Sequence, residues 1–195
     1  DFKLGSSGEV LTLYQSDRAT VIDRVTFGQQ VALTSQGRAP DGANHFVSFA
    51  SALVTPGAAN FAMMTSVVIS EVLSHTDPPL EDAIELHNLT DQPVNIGGWW
   101  LSDAAADPQK YQIPHGTTIG PHDFAVFYAS QFGSGAKAFT LDSAEGDEVY
   151  LSVVDAAGLL TGQQTSVKFG ALKNGVSVGR FLTSTGVEFV PLSQR

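Results

Sequence analysis

Short runs of alternating apolar and polar residues dominate the pattern along the chain. They lie at residues 9–14, 67–73, 83–87 and 148–153, and each ends at Gly, Pro, Asp or Asn. Period-two alternation between turn residues predicts half-buried strands. No segment shows the pattern of a capped amphipathic helix of three turns. Many short strands at this spacing predict an all-β sandwich or barrel.

An internal repeat divides the chain. Five matches occur in the same order in both copies: residues 1–4 with 138–141, 8–13 with 146–151, 25–28 with 167–170, 35–38 with 177–180, and 46–47 with 189–190. Residues 61–137 have no counterpart upstream. We therefore expect residues 1–60 to be the C-terminal half of a first domain and residues 61–195 to be a nearly complete second one. On this interpretation the chain is a piece of a larger protein.

The second of these regions carries an ordered set of motifs. They are Val68-Ile69-Ser-Glu71-Val72, Asp82-Ala-Ile84-Glu85-Leu86-His-Asn88, Val94-Asn-Ile96-Gly-Gly98-Trp99-Trp-Leu101-Ser-Asp103, Tyr111-Gln-Ile113-Pro-His-Gly-Thr-Thr-Ile119-Gly-Pro121 and Ser177-Val-Gly179-Arg180. In order and spacing they resemble the bacterial lamin tail domain. Departures are Asp82 and Ala83, where Glu and Trp are usual, and the second tryptophan, Trp100.

The resemblance implies an immunoglobulin-like antiparallel β-sandwich. It further implies a module of secreted or surface bacterial proteins, found beside enzymes or other adhesive repeats. In animal lamins the same fold is a protein-interaction and chromatin-binding module.

Charge and composition exclude several classes of protein. The net charge is −10, and residues 61–195 carry fifteen acids against six bases, whereas residues 1–60 carry five against four. Such a surface repels phosphate backbones, so we expect no nucleic-acid binding.

The longest apolar runs, such as residues 124–129, are far below the ~20 residues that span a bilayer, so no membrane insertion is expected. The absence of cysteine excludes disulfides and thiolate chemistry.

Enzymatic motifs are weak. Gly175-Val-Ser177-Val-Gly179 fits the nucleophile-elbow pattern G-x-S-x-G, but no helical pattern and no histidine follow Ser177. Glu71 and Glu85 could serve as an acid–base pair in a glycosidase, yet no cleft-forming insertions accompany them.

A structural role for these carboxylates is therefore favoured. We expect the Arg180 guanidinium to pair with Glu71 or Glu85, because its planar fork suits a carboxylate. The Gly-Arg pair recurs in the first copy as Gly37-Arg38.

Metal binding has a limited case. The five histidines, at positions 45, 75, 87, 115 and 122, form no H-E-x-x-H pair. We therefore favour solvated or singly hydrogen-bonded histidines. This holds even for His87, which shares a strand face with Glu85. We expect no cofactor, with calcium as the one alternative. Two acidic loops have the right character for calcium: Asp77, Glu81 and Asp82, and Asp142, Glu145 and Asp147. Neither matches the EF-hand register.

Two adjacent tryptophans must point to opposite faces of a strand. The resemblance places Trp99 in the core, so we expect Trp99 to be nearly buried and Trp100 largely exposed. Trp100 is then a candidate platform for a sugar or a partner protein, although a role in covering a neighbouring domain is favoured.

These observations favour a non-enzymatic extracellular or cell-surface module that contacts other proteins or surface glycans, or acts as a spacer. The alternative is a carbohydrate-binding accessory domain of a secreted enzyme, with Trp100 as its platform.

Residues 1–60 generate a separate expectation. Half a sandwich exposes an apolar face, comprising Leu11, Leu13, Val21, Val25, Phe27, Phe46 and Phe49 among others. A fragment of this size is marginal even with a complete core. We expect it to pack against residues 61–195 or against a second chain, as a homodimer or by segment exchange.

Overall fold

Strands form almost all of the regular structure in a computed structural model of the chain. The structure describes residues 3–39, 41–42, 46–50, 54–57, 60, 62–184 and 186–192. By its internal contacts the chain divides into two units, Asp1–Asn60 and Phe61–Arg195.

The first unit contains two hairpins. Its strands are β1 (Glu9–Tyr14), β2 (Val21–Phe27), β3 (Thr34–Arg38) and β4 (Phe46–Ala50). β1 pairs antiparallel with β2, and β3 pairs antiparallel with β4, so the described residues form two separate two-stranded sheets.

The second unit contains twelve strands and one helical turn in its described residues. They are β5 (Ala62–Met63), β6 (Val67–Leu73), β7 (Ala83–Asn88), β8 (Val94–Asn95), β9 (Trp100–Ser102), β10 (Tyr111–Gln112), β11 (Thr118–Ile119), β12 (Phe124–Tyr128), α1 (Ala129–Phe132), β13 (Asp147–Val154), β14 (Leu160–Phe169), β15 (Val178–Thr183) and β16 (Gly186–Pro191).

Two five-stranded sheets build the second unit. Their strand orders are β10-β9-β13-β14-β5 and β12-β7-β6-β15-β16, and a small β11-β8 pair lies beside them. All pairings are antiparallel among the described strands except that of β14 with β5. This is an immunoglobulin-like β-sandwich, so the predicted fold class is confirmed.

Strand β7 shows why the sequence forms these sheets. Ile84, Leu86 and Asn88 are buried, while Glu85 and His87 between them are not, as strand alternation requires. β6 begins with three buried residues, Val67, Val68 and Ile69, and contains a β-bulge between Ile69 and Glu71. The bulge inserts Ser70, which shifts the rest of the strand by one residue and keeps Val72 inside.

The core lies between the two sheets. Its fully buried members come from both of them and from the connecting segments: Val67, Ile69, Val72, Ile84, Leu86, Ile96, Leu101, Ile113, Ile119, Phe132, Val149 and Leu151. Phe132 of α1 stacks on Phe139 with ring centroids 4.8 Å apart.

The hairpins of the first unit repeat the pairing of the second. Leu11 faces Val25 as Val149 faces Val167. Gly37 faces Val47 as Gly179 faces Val190. Gly8 and Gly146 both have a positive φ (106° and 92°). A Cβ there would collide with the carbonyl oxygen of the residue ending the second strand, Phe27 or Phe169.

Side-chain burial differs between the strands of the first unit and the matching strands of the second. Leu13 is 59% exposed, whereas Leu151, at the matching position, is 0% exposed. Val21 and Phe46 are also exposed, in line with the expected open apolar face. Phe49 departs from that expectation, because its side chain is buried.

This contrast predicts unequal effects of one substitution at two matching positions. Leu151→Ala should lower the free energy of unfolding of the second unit by about 2–5 kcal/mol, because it leaves a cavity in the core. Leu13→Ala should leave that transition unchanged. Both tryptophans lie in the second unit, so urea unfolding followed by tryptophan fluorescence measures it. Equal effects of the two substitutions would contradict this account of the core.

Candidate functional site

Two glutamates face each other on the outer side of the β12-β7-β6-β15-β16 sheet. Glu71 of β6 is the cross-strand partner of Glu85 of β7. The Ser70 hydroxyl at the bulge donates a hydrogen bond to Glu85 Oε1 at 2.7 Å. Directly opposed like charges destabilise a strand pair. No cation in the described residues forms an ion pair with either carboxylate.

A groove of about 400 Å³ lies over these two carboxylates. Leu73, Val126 and Tyr128 are among its apolar walls, and Glu81 is a third acid at its side. Glu81 Oε2 accepts a hydrogen bond from the Ser130 backbone N–H at 2.9 Å. Hydrogen bonding by Ser130 lowers the pKa of Glu81. The groove therefore combines apolar walls with negative charge.

The predicted ion pair of Arg180 with Glu71 or Glu85 is wrong. No such contact exists, although all three residues are described. Gly179 is the cross-strand partner of Glu71, so Gly179 and the glutamates share the outer face. Arg180 is the next residue and points to the opposite face.

Close packing explains the glycine in the recurring Gly-Arg pair. A Cβ on Gly179 would lie 2.6 Å from Leu192 Cδ1. In the first unit a Cβ on Gly37 would lie 2.7 Å from Asn60 Nδ2. At both positions a larger residue would therefore require the neighbouring side chain to shift.

The tryptophan prediction is right for one residue and wrong for the other. Trp99 is 8% exposed. Trp100 is half-buried rather than largely exposed. β9 lies between β10 and β13, so Trp100 has Gln112 on one side and Ser152 on the other. Its Nε1–H is out of solvent and has no hydrogen-bond partner among the described residues.

The first acidic loop uses its carboxylates within the fold. The Asn174 side chain donates to Asp77 Oδ2 at 2.5 Å. The Thr76 hydroxyl donates to Asp82 Oδ1 at 2.8 Å. Glu81 accepts from Ser130, as described above.

The second acidic loop stabilises its own turn. Asp142 Oδ1 accepts hydrogen bonds from the backbone N–H groups of Ala144 and Glu145 at 2.8 and 3.0 Å. These bonds, that from Glu145 first, lower the pKa of Asp142. Asp147 Oδ2 accepts from the Asp142 backbone N–H at 2.9 Å.

No three acidic or histidine side chains in the described ranges converge to hold a metal ion. The two acidic loops considered as an alternative for calcium therefore contain no such cluster. In the same part of the chain, no helix is long and apolar enough to span a bilayer.

The described histidines make separate local contacts. His75 Nδ1 is 2.9 Å from the Leu172 carbonyl oxygen, and His122 Nε2 is 2.7 Å from Asp91 Oδ1. His87 stacks on Phe124 with ring centroids 4.1 Å apart. His45 lies outside the described residues.

Ser177 precedes strand β15 rather than a helix, so the G-x-S-x-G segment is no nucleophile elbow.

Sequence reasoning did not identify the structural role of Asn88. Its amide is fully buried and donates to the carbonyls of Gln92 and Gly120 at 2.7 and 2.8 Å. Its Oδ1 accepts from the Thr90 N–H and hydroxyl at 3.0 and 2.8 Å. The Asn-x-Thr spacing at 88–90 was the available signal, and it marks a loop-fixing asparagine here.

Comparison with known families agrees with this architecture. The family model described as Lamin Tail Domain matches residues 62–167. This match covers more than half of the chain, from β5 to near the end of β14. The chain belongs to the lamin tail domain family. No curated protein and no solved structure was found to match it.

The opposed glutamates generate a stability prediction. Glu71→Gln should raise the free energy of unfolding by about 0.5 kcal/mol, because it removes a like-charge cross-strand pair. The gain should shrink in 1 M NaCl, where charges are screened. Urea titrations at both salt concentrations measure it, with Glu145→Gln, at an exposed turn, as the control. A loss of stability at low salt would show that Glu71 is satisfied where it lies.

Proposed function

We propose that this chain is a non-enzymatic interaction or spacer module of a larger multidomain bacterial protein, located outside the cell or on its surface. Its partners are other proteins or surface glycans. Membership of the lamin tail domain family supports this class of function, because the immunoglobulin-like fold of the family serves contact rather than catalysis.

The outer face of the β12-β7-β6 strands is the observation that carries the proposal. Phe124, Val126 and Tyr128 are exposed on β12 at alternate positions and so line one face. A contiguous exposed apolar surface marks an interaction site on a soluble domain. The groove beside Glu71 and Glu85 adds negative charge, which favours a partner with basic groups.

Carbohydrate binding is the alternative function. Trp100 keeps part of its ring accessible, and stacking on an aromatic ring is one way to hold a sugar. Its half-burial leaves less ring area than an exposed platform offers.

Binding and turnover panels distinguish these functions. We expect no turnover of esters, glycosides or phosphoesters, and no soluble glycan whose binding depends on Trp100. The measurement is binding to a soluble-glycan array by wild type and Trp100→Ala. Glycan binding that Trp100→Ala removes would favour the carbohydrate alternative. Turnover by purified protein would overturn the non-enzymatic role.

Residues 1–60 have a proposed role in self-association. They are interpreted as the C-terminal half of a first lamin tail domain, which the shared registers of β1–β2 with β13–β14 and of β3–β4 with β15–β16 support. Their exposed apolar face needs a cover. Segment exchange between two chains provides none, because two copies of residues 61–137 then serve four C-terminal halves. Direct pairing of this face in two chains is therefore favoured over segment exchange, and packing against residues 61–195 is the monomeric alternative.

Light scattering on the purified chain tests this pairing. Wild type should be a dimer, and Leu13→Asp should be a monomer, because a charge disrupts the apolar face. Leu159→Asp is the control, since Leu159 is 66% exposed in the second unit, and it should remain dimeric. Monomeric wild type would contradict the proposed dimer.

A further inference from the structure

Arg180 lines a cleft of about 330 Å³ between the two sheets of the second unit. Ile69 and Phe189 come from its own sheet, and Thr165 and Val167 come from β14 of the facing sheet. Arg180 is half-buried, and its guanidinium makes no hydrogen bond or ion pair with any described residue. Lys168, at the same cleft, is already paired with Glu148 at 2.5 Å.

The matching arginine in the first unit has a carboxylate partner. Arg38 Nη2 lies 2.7 Å from Asp23 Oδ1. The guanidinium carbon also lies 5.5 Å from the centre of the Phe46 ring. The first unit therefore shows the interactions that this arginine position can make.

Strand register identifies what replaces this carboxylate in the second unit. Arg38 faces Phe46 across β3–β4, as Arg180 faces Phe189 across β15–β16. Asp23 faces Leu13 across β1–β2. At the matching place in β13–β14, Thr165 faces Leu151. Threonine carries no charge, so the position that supplies an acid to Arg38 in the first unit supplies none to Arg180 in the second.

We propose that the Arg180 cleft binds an acidic side chain of a partner polypeptide, with apolar neighbours of that side chain against Phe189 and Val167. A guanidinium held among apolar walls favours a carboxylate, which it can bind through two parallel hydrogen bonds. The inference rests on the proposed function, since it gives the partner chemistry for one cleft of an interaction module.

The strand edges favour a polypeptide over a free acid. β16 is the last strand of one sheet and β5 is the last strand of the other in the described part of the chain. Both edges are therefore available for main-chain pairing, and an extended partner strand beside β16 would project alternate side chains toward one face.

The test uses two pentapeptides, acetylated and amidated, with leucine at both ends, serine at the second and fourth positions, and either glutamate or glutamine at the centre. This spacing puts the leucines on the same side as the central residue. Titration of the ¹⁵N-labelled chain should shift amide signals of residues 165–167 and 178–190. The glutamate peptide should bind at least tenfold more tightly than the glutamine peptide.

Two pairs of variants make the test specific, one at the matching arginines and one at Thr165. Arg180→Gln should remove the preference for glutamate, while Arg38→Gln, the matched control in the first unit, should retain it. Thr165→Asp restores the carboxylate seen in the first unit, so it should also remove the preference and raise the melting temperature. Thr165→Asn should do neither, and this second pair decides the matter if Arg180→Gln fails to fold.

Three outcomes would overturn the inference: equal binding of the two peptides, shifts confined to residues away from the cleft, or a glutamate preference that survives Thr165→Asp. Equally tight binding of hexanoate would replace the polypeptide with a free carboxylic acid. A glycan partner dependent on Trp100 would overturn the proposed function alone, and the peptide titration would still report on Arg180.

Discussion

Closure of two five-stranded sheets over one apolar core is the constraint on which the second unit depends. Val149 and Leu151 are fully buried in the same cluster as Ile69 and Leu86, which come from the other sheet. Burial at about 25 cal/mol per Å² of apolar surface makes such positions the main source of stability. The turn glycines, the bulge at Ser70 and the Asn88 hydrogen bonds all serve to keep these faces in register.

The first unit contains the matching strands, but their apolar side chains are less buried than those of the second unit. Its hairpins keep the cross-strand registers of β13–β14 and β15–β16, so local pairing is a property of the repeated sequence. Side-chain burial is not set by the repeated sequence, because Leu13 is largely exposed at the position where Leu151 is buried. Local sequence thus sets strand pairing, while the facing strands decide which side chains become core.

Alternation, turn residues and the lamin tail motifs were sufficient to predict the sandwich and the burial of Trp99. They were insufficient to predict the partner of Arg180, because a one-residue change in register moves a side chain to the other face of the sheet. Gly179 opposite Glu71 fixes that register, and it is visible only in the paired strands. Trp100 was misjudged for a related reason, since its exposure depends on β10 and β13 on either side of β9. The acidic loops looked able to bind calcium because sequence cannot show whether their carboxylates converge, and among the described residues they do not.

The central claim is that Arg180 has no carboxylate partner among the described residues of its own chain, whereas Arg38 has one. The most direct measurement is the NMR spectrum of the guanidinium Nη–Hη groups in the ligand-free protein at low temperature. Pairing with Asp23 should slow rotation of the Arg38 guanidinium and give separate Nη signals, while Arg180 should give one averaged signal. Separate Nη signals for Arg180 in the ligand-free protein would contradict the account, because they would show that its guanidinium is already held.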